Sequence, residues 1–183
     1  MKFSRILCTC LFVFSLLTGY SQVNTRTLDN IASELATTGG VNVRGQIHAD
    51  YNNSGGVAAI SCQGNYCDIF AHPNAMSNKS LNTWAFIIGH ELGHYALGHI
   101  GCGKSGKQAE MNADVYGARL AKMAGYDLSN YISNLQLEPN SCSQSHGCWS
   151  ERIDNLKRNF GYRQSNSHNC NNRTSWLAFP WFN

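Results

Sequence analysis

Residues 85–99 read AFIIGHELGHYALGH, and within this apolar run His90, Glu91 and His94 are side chains that can do chemistry. His90 and His94 are four apart, so on a helix their rings are neighbours one turn from each other and can converge on one ion. Glu91 is rotated about 100° from His90 and borders the pair. This is the H-E-x-x-H arrangement, in which two neutral imidazoles bind zinc and the carboxylate acts as general base on a water beside it. Zinc lowers the pKa of that water toward about 7, producing a nucleophile fit for an amide carbonyl.

Two imidazoles leave a ligand missing. His99 falls on the opposite side of a continuous helix from His90, and is expected to be a packed or helix-terminal residue. The pattern H-E-x-x-H-x-x-G-x-x-H would need Gly at 97 and His at 100, where this chain has Leu97 and Ile100. KQAEMNADVYGARLAKMAG supplies another candidate: Glu110 and Asp114 are four apart and share a helix face. Glu110 can bind zinc through an oxygen, while Asp114 receives the other N–H of a ligand imidazole and fixes its tautomer. Around them stand Ala113, Gly117 and Ala121, matched on the first helix by Gly89 and Gly93. Small residues on both surfaces let the two helices approach as closely as a shared site requires.

The elements that must carry these residues follow from periodicity. A stripe of Leu81, Trp84, Ala85, Ile88, Leu92, Tyr95 and Ala96 puts a helix over roughly 80–99, with His90 and His94 on its other side. Further helices are expected over 25–38, 107–124, 128–136 and 149–160. Strands are expected within VNVRGQIHAD, VAAIS and YCDIFAH, which alternate or run apolar between Gly and Asn clusters.

The 183-residue chain, with 43% hydrophobic and 14% charged residues, fits one globular domain. Residues 1–21 read as a secretory signal peptide: Lys2 and Arg5, the apolar stretch ILCTCLFVFSLL, then Gly19 and Ser21 at the cleavage positions. That apolar run is shorter than the roughly 20 residues a spanning helix needs, and no later stretch could cross a bilayer. Removing Lys2 and Arg5 takes the net charge from +3 to +1, so no electrostatic footprint for nucleic acid remains.

Cleavage also leaves six cysteines, which in an exported chain suggest three disulfides. Sequence alone does not choose among the pairings; proximity favours Cys62 with Cys67, Cys142 with Cys148, and Cys102 with Cys170. The absence of a CxxC pair argues against a cysteine zinc site. The aromatic end WLAFPWFN is expected to pack back on the domain as part of a tail over 163–183.

HELGHYALGH followed by EMNAD resembles the zinc metallopeptidase family of the CaaX prenyl proteases and the bacterial heat-shock membrane protease, gluzincins with H-E-x-x-H and a later E-x-x-A-D. NTWAFIIGHELGH, GARLAKMAGYD and HGCWSERIDNL extend the resemblance to small exported bacterial members; it covers roughly residues 25–161. It implies an α+β fold, mainly helical with a small β-sheet and stapled by disulfides, with a catalytic domain over 22–162. It implies His90, His94 and Glu110 as ligands of one Zn2+ per chain, Glu91 as base, and Asp114 behind a ligand. His99 occupies the family's additional histidine. His146 and Arg152 match a late H-P-x-x-x-x-R element, implying an oxyanion role for His146 and a bracing role for Arg152, although Gly147 replaces the proline. The family also places a strand on the cleft rim, where VAAIS or YCDIFAH would receive an extended peptide.

The expected function is therefore zinc-dependent endopeptidase cleavage of a peptide or protein substrate, in the periplasm or outside the cell. The alternatives are a catalytically silent zinc-containing binding or scaffold protein on this fold, and a disulfide-rich adhesion module that uses its aromatic end.

Overall fold

A computed structural model describes residues 23–52, 56–100, 106–135 and 142–161. The expected leader over 1–21, the tail over 163–183 and the Cys102–Cys170 pair lie outside the described residues. Helix α1 (Thr25–Thr38) begins where the Asn24 side chain accepts the Thr27 N–H at 2.9 Å, and buries Leu28, Ile31 and Leu35 along one face. A sheet follows, made of β1 (Ile47–Ala49), β2 (Ala58–Gln63) and β3 (Tyr66–Ala71).

β3 is the middle strand, parallel to β1 and antiparallel to β2. A two-residue turn joins β2 to β3, with Gly64 at φ +62, a left-handed conformation that favours glycine. Cys62 and Cys67 face each other in register across this hairpin and form a disulfide. Cys67, Ile69 and Ala71 alternate inward along β3. Of VNVRGQIHAD only Ile47–Ala49 is a strand. Upstream, Arg44 makes an isolated bridge to Tyr66, and a side chain at Gly45 would run into the Cys67 carbonyl. YCDIFAH lies on the middle strand and is paired on both sides, so of the two expected rim strands only VAAIS, on β2, lies at a sheet edge.

A short helix α2 (Pro73–Asn78) leads into α3 (Leu81–Ala96), capped by Ser80. Then come α4 (Lys107–Met123), α5 (Leu128–Leu135), a small hairpin of β4 (Cys142–Ser143) and β5 (Gly147–Cys148), and α6 (Trp149–Phe160). A second disulfide, Cys142–Cys148, closes that hairpin. The fold is α+β, mainly helical, with a small mixed sheet and, among the described residues, two disulfides. Among the described residues no helix is long and apolar enough to cross a membrane.

α3 stands between two cores. Trp84, Ala85, Ile88 and Leu92 pack with Leu28, Leu35, Ile47 and Ile69 of α1 and the sheet. Phe86 packs instead with Tyr131, Ile132, Ile153 and Leu156 of α5 and α6. Each fully buried aliphatic or aromatic side chain stabilises the fold by roughly 1.5–3 kcal/mol, so α3 is held from both sides and its polar residues are held with it.

The remaining face of α3 meets α4 through glycines. A side chain at Gly117 would collide with the backbone of Gly89 and His90, and one at Gly93 would press on Ala113. This is the close approach that the small residues on both helices imply. Gly117→Ala is therefore expected to lower unfolding free energy by about 1–3 kcal/mol through overpacking. The roughly 1 kcal/mol that Ala ordinarily gains over Gly in a helix works against that loss without cancelling it. Urea denaturation measures the balance; an unchanged midpoint would refute the backbone contact.

Candidate metal centre

The close crossing brings His90 and His94 of α3 against Glu110, in the first turn of α4. His90 Nε2 lies 3.0 Å from His94 Nε2 and 3.4 Å from Glu110 Oε2; His94 Nε2 lies 3.4 Å from Glu110 Oε1. One donor atom from each residue lies within 4.8 Å of the others, so the three side chains could hold a metal ion. Bonds of about 2.0–2.1 Å to a tetrahedral ion put its ligand atoms about 3.3 Å apart, which these edges match. Two imidazoles and a carboxylate also form a donor set that zinc accepts.

The back of His90 is built with equal care. Its Nδ1 lies 2.9 Å from Asp114 Oδ1. Asp114 is 1% exposed and receives two further bonds, from Arg152 Nε to Oδ2 and from Arg152 Nη2 to Oδ1, each 2.7 Å long. Burial alone would raise the Asp114 carboxyl, but the Arg152 and His90 hydrogen bonds and their charges hold it below the ordinary carboxylate range. An ionised carboxylate only accepts, so His90 donates from Nδ1 and its Nε2 faces the cluster.

Arg152 comes from α6, buried between the two carboxylates: Nη1 is 3.5 Å from Glu110 Oε2, and its guanidinium lies over the Trp149 ring at 4.4 Å. It thus couples the Glu110 carboxylate to the one behind His90. On the other side, Phe86 stacks on His90 at 6.4 Å between ring centroids and on Tyr131 at 3.7 Å. The sequence reading did not assign Phe86, Tyr131 or Trp149. Phe86 lies four residues before His90, a spacing that could have pointed to it; the other two arrive by tertiary packing.

Charge is distributed unevenly across the cluster. Burial disfavours a charged His90, yet its bonds to Asp114 and Glu110 outweigh this and push its pKa up to about 10. His94 goes the other way, to about 4, through burial and the positive charge of His90. Glu110, which burial alone would raise, is held below its usual value by the His90 hydrogen bond and the surrounding cations. The two imidazoles, whose Nε2 atoms face each other at 3.0 Å, are thus shifted in opposite directions.

Glu91 is buried on α3 next to His90, and ligand-cluster geometry does not include it. Burial raises its carboxyl above the ordinary range, with the charges of His90 and Arg152 opposing and that of Glu110 assisting. His146 lies on the exposed turn of the β4–β5 hairpin, with its Nδ1 2.8 Å from Ser145 Oγ and 3.3 Å from Ser143 Oγ. The hairpin abuts the start of α4, where a side chain at Gly147 would meet Lys107. His99 is not on the helix at all: α3 ends at Ala96, and His99 Nδ1 lies 3.0 Å from His94 Nδ1.

The chain matches no protein-family model and no curated protein.

Proposed function

We propose that this chain is an exported zinc-dependent endopeptidase of the gluzincin type. The observation that carries the reading is the triangle of His90, His94 and Glu110 donor atoms, with the buried Glu91 carboxylate on the same helix beside it. A structural metal has no need of that carboxylate, and burying one at a cost is better explained by a task.

When bound, zinc would supply Lewis acidity, polarising a peptide carbonyl and lowering the pKa of water toward about 7. The protein's own groups do the rest. Glu91 takes a proton from the attacking water and passes it to the departing amide nitrogen; its raised pKa suits both transfers. Asp114 and Arg152 keep His90 aimed. His146 is assigned to the oxyanion by the family resemblance alone. An extended peptide is bound as an added strand along β2. The two disulfides support export to an oxidising compartment.

The test is degradation of casein or a broad peptide mixture by purified protein, its loss on chelation and its return with zinc. Zinc-loaded protein that cuts nothing in the mixture would leave a binding or scaffold protein with a structural metal.

Zinc loading itself carries a pH signature. Below about pH 10 His90 holds a proton that the ion must displace, whereas above about pH 4 His94 holds none. Apparent zinc affinity should thus rise about tenfold per pH unit across pH 5–8, with one proton released per ion bound. Calorimetry in buffers of different ionisation enthalpy counts that proton; a count of zero or two would contradict the assignment.

A further inference from the structure

The end of α3 is a Schellman turn. Gly98 adopts a left-handed φ of +65, its N–H bonds to Tyr95 O at 3.0 Å, and the His99 N–H bonds to His94 O at 2.9 Å. The reversal carries His99 off the helical path and folds its ring onto that of His94, with centroids 5.2 Å apart at 66°. The two Nδ1 atoms meet at 3.0 Å. Two ring nitrogens at this distance make a hydrogen bond only if one carries the proton and the other presents its lone pair.

The far side of His94 decides which. Its Nε2 faces His90 Nε2 at 3.0 Å and Glu110 Oε1 at 3.4 Å. These are the atoms of the triangle that could hold an ion, and a nitrogen that is to bind one must present its lone pair there, so His94 Nε2 is the bare nitrogen. The proton of a neutral His94 is then on Nδ1, directed at His99.

We propose that His99 is a positioning residue for the metal centre. Its Nδ1 accepts the His94 Nδ1–H, which fixes the orientation and tautomer of His94 and keeps its Nε2 bare for an ion. Asp114 does the same for His90, so each imidazole ligand has its own acceptor: a carboxylate from α4 for one, a turn histidine for the other. The role rests on the metal reading above, but the tautomer it imposes exists without an ion.

Zinc affinity by chelator competition and long-range proton–nitrogen NMR of the His94 ring, on wild type, His99→Ala and His99→Asn, test this together. Asn presents a side-chain oxygen close to where the imidazole Nδ1 stood. His99→Ala is expected to weaken zinc binding about 10-fold or more, within the 10–100-fold range for such partners. His99→Asn should recover most of that loss. In zinc-free wild type and in His99→Asn, His94 should be the Nδ1–H tautomer, and in His99→Ala a mixture. Unchanged affinity in His99→Ala, an Asn variant no better than Ala, or an Nε2–H His94 in wild type would overturn the proposal. Wild type that binds no zinc would overturn the metal reading, while the NMR result on zinc-free protein would still decide the role of His99.

Discussion

Glu91→Gln is expected to keep its zinc and to cut peptide substrates about 1,000-fold more slowly. The ligand triangle does not include Glu91, so metal content should not follow its loss. Glutamine matches glutamate in shape, which preserves the packing of a residue buried on α3. What it cannot do is accept a proton, and a positioned general base contributes about 100–10,000-fold. Metal analysis beside steady-state kinetics separates the two effects. Equal turnover by the Gln variant would remove Glu91 from the mechanism.

Arg152→Met is expected to cost about 3–5 kcal/mol of stability, because it strips a buried charge of its partner. Arg152 is 6% exposed and supplies two of the bonds to Asp114, which is then left with His90. The variant should also weaken zinc binding about 10–100-fold, since the acceptor that orients His90 loses its own anchor. Arg152→Lys restores the charge without the planar fork and is expected to fall between the two. Denaturation midpoints with and without zinc measure both effects. A Met variant within about 1 kcal/mol of wild type would show that Asp114 does not depend on α6.

The cluster of His90, His94 and Glu110, which could hold a metal ion, was legible because its parts are local. His90 with His94, and Glu110 with Asp114, are each four apart, and the glycines and alanines around them announce two surfaces that can touch. Helical periodicity and residue type carry that information. His99 was expected as a packed or helix-terminal residue and does lie just past the end of α3 against His94, but its side was not legible: the wheel was projected through residue 99, whereas Gly98 breaks the phase and sends the chain back toward His94. A glycine near the end of an apolar stripe is the signal that separates the two readings.

Non-local features were less accessible. The parallel pairing of β1 with β3 and the central place of β3 depend on contacts across more than twenty residues, which alternation cannot register. The short α2 carries too few apolar positions for a period, although Pro73 stands at its start with His72 as cap. The Cys62–Cys67 and Cys142–Cys148 pairs were recoverable because each closes a short hairpin.

Crystals grown or soaked with zinc, measured across the zinc absorption edge, test the central claim most directly. One anomalous peak per chain is expected, about 2.0–2.2 Å from Nε2 of His90, Nε2 of His94 and a carboxylate oxygen of Glu110. The same experiment on Glu110→Ala should show that peak lost or strongly reduced. A wild-type crystal with no peak between α3 and α4, or one whose ion is bound without Glu110, would contradict the account.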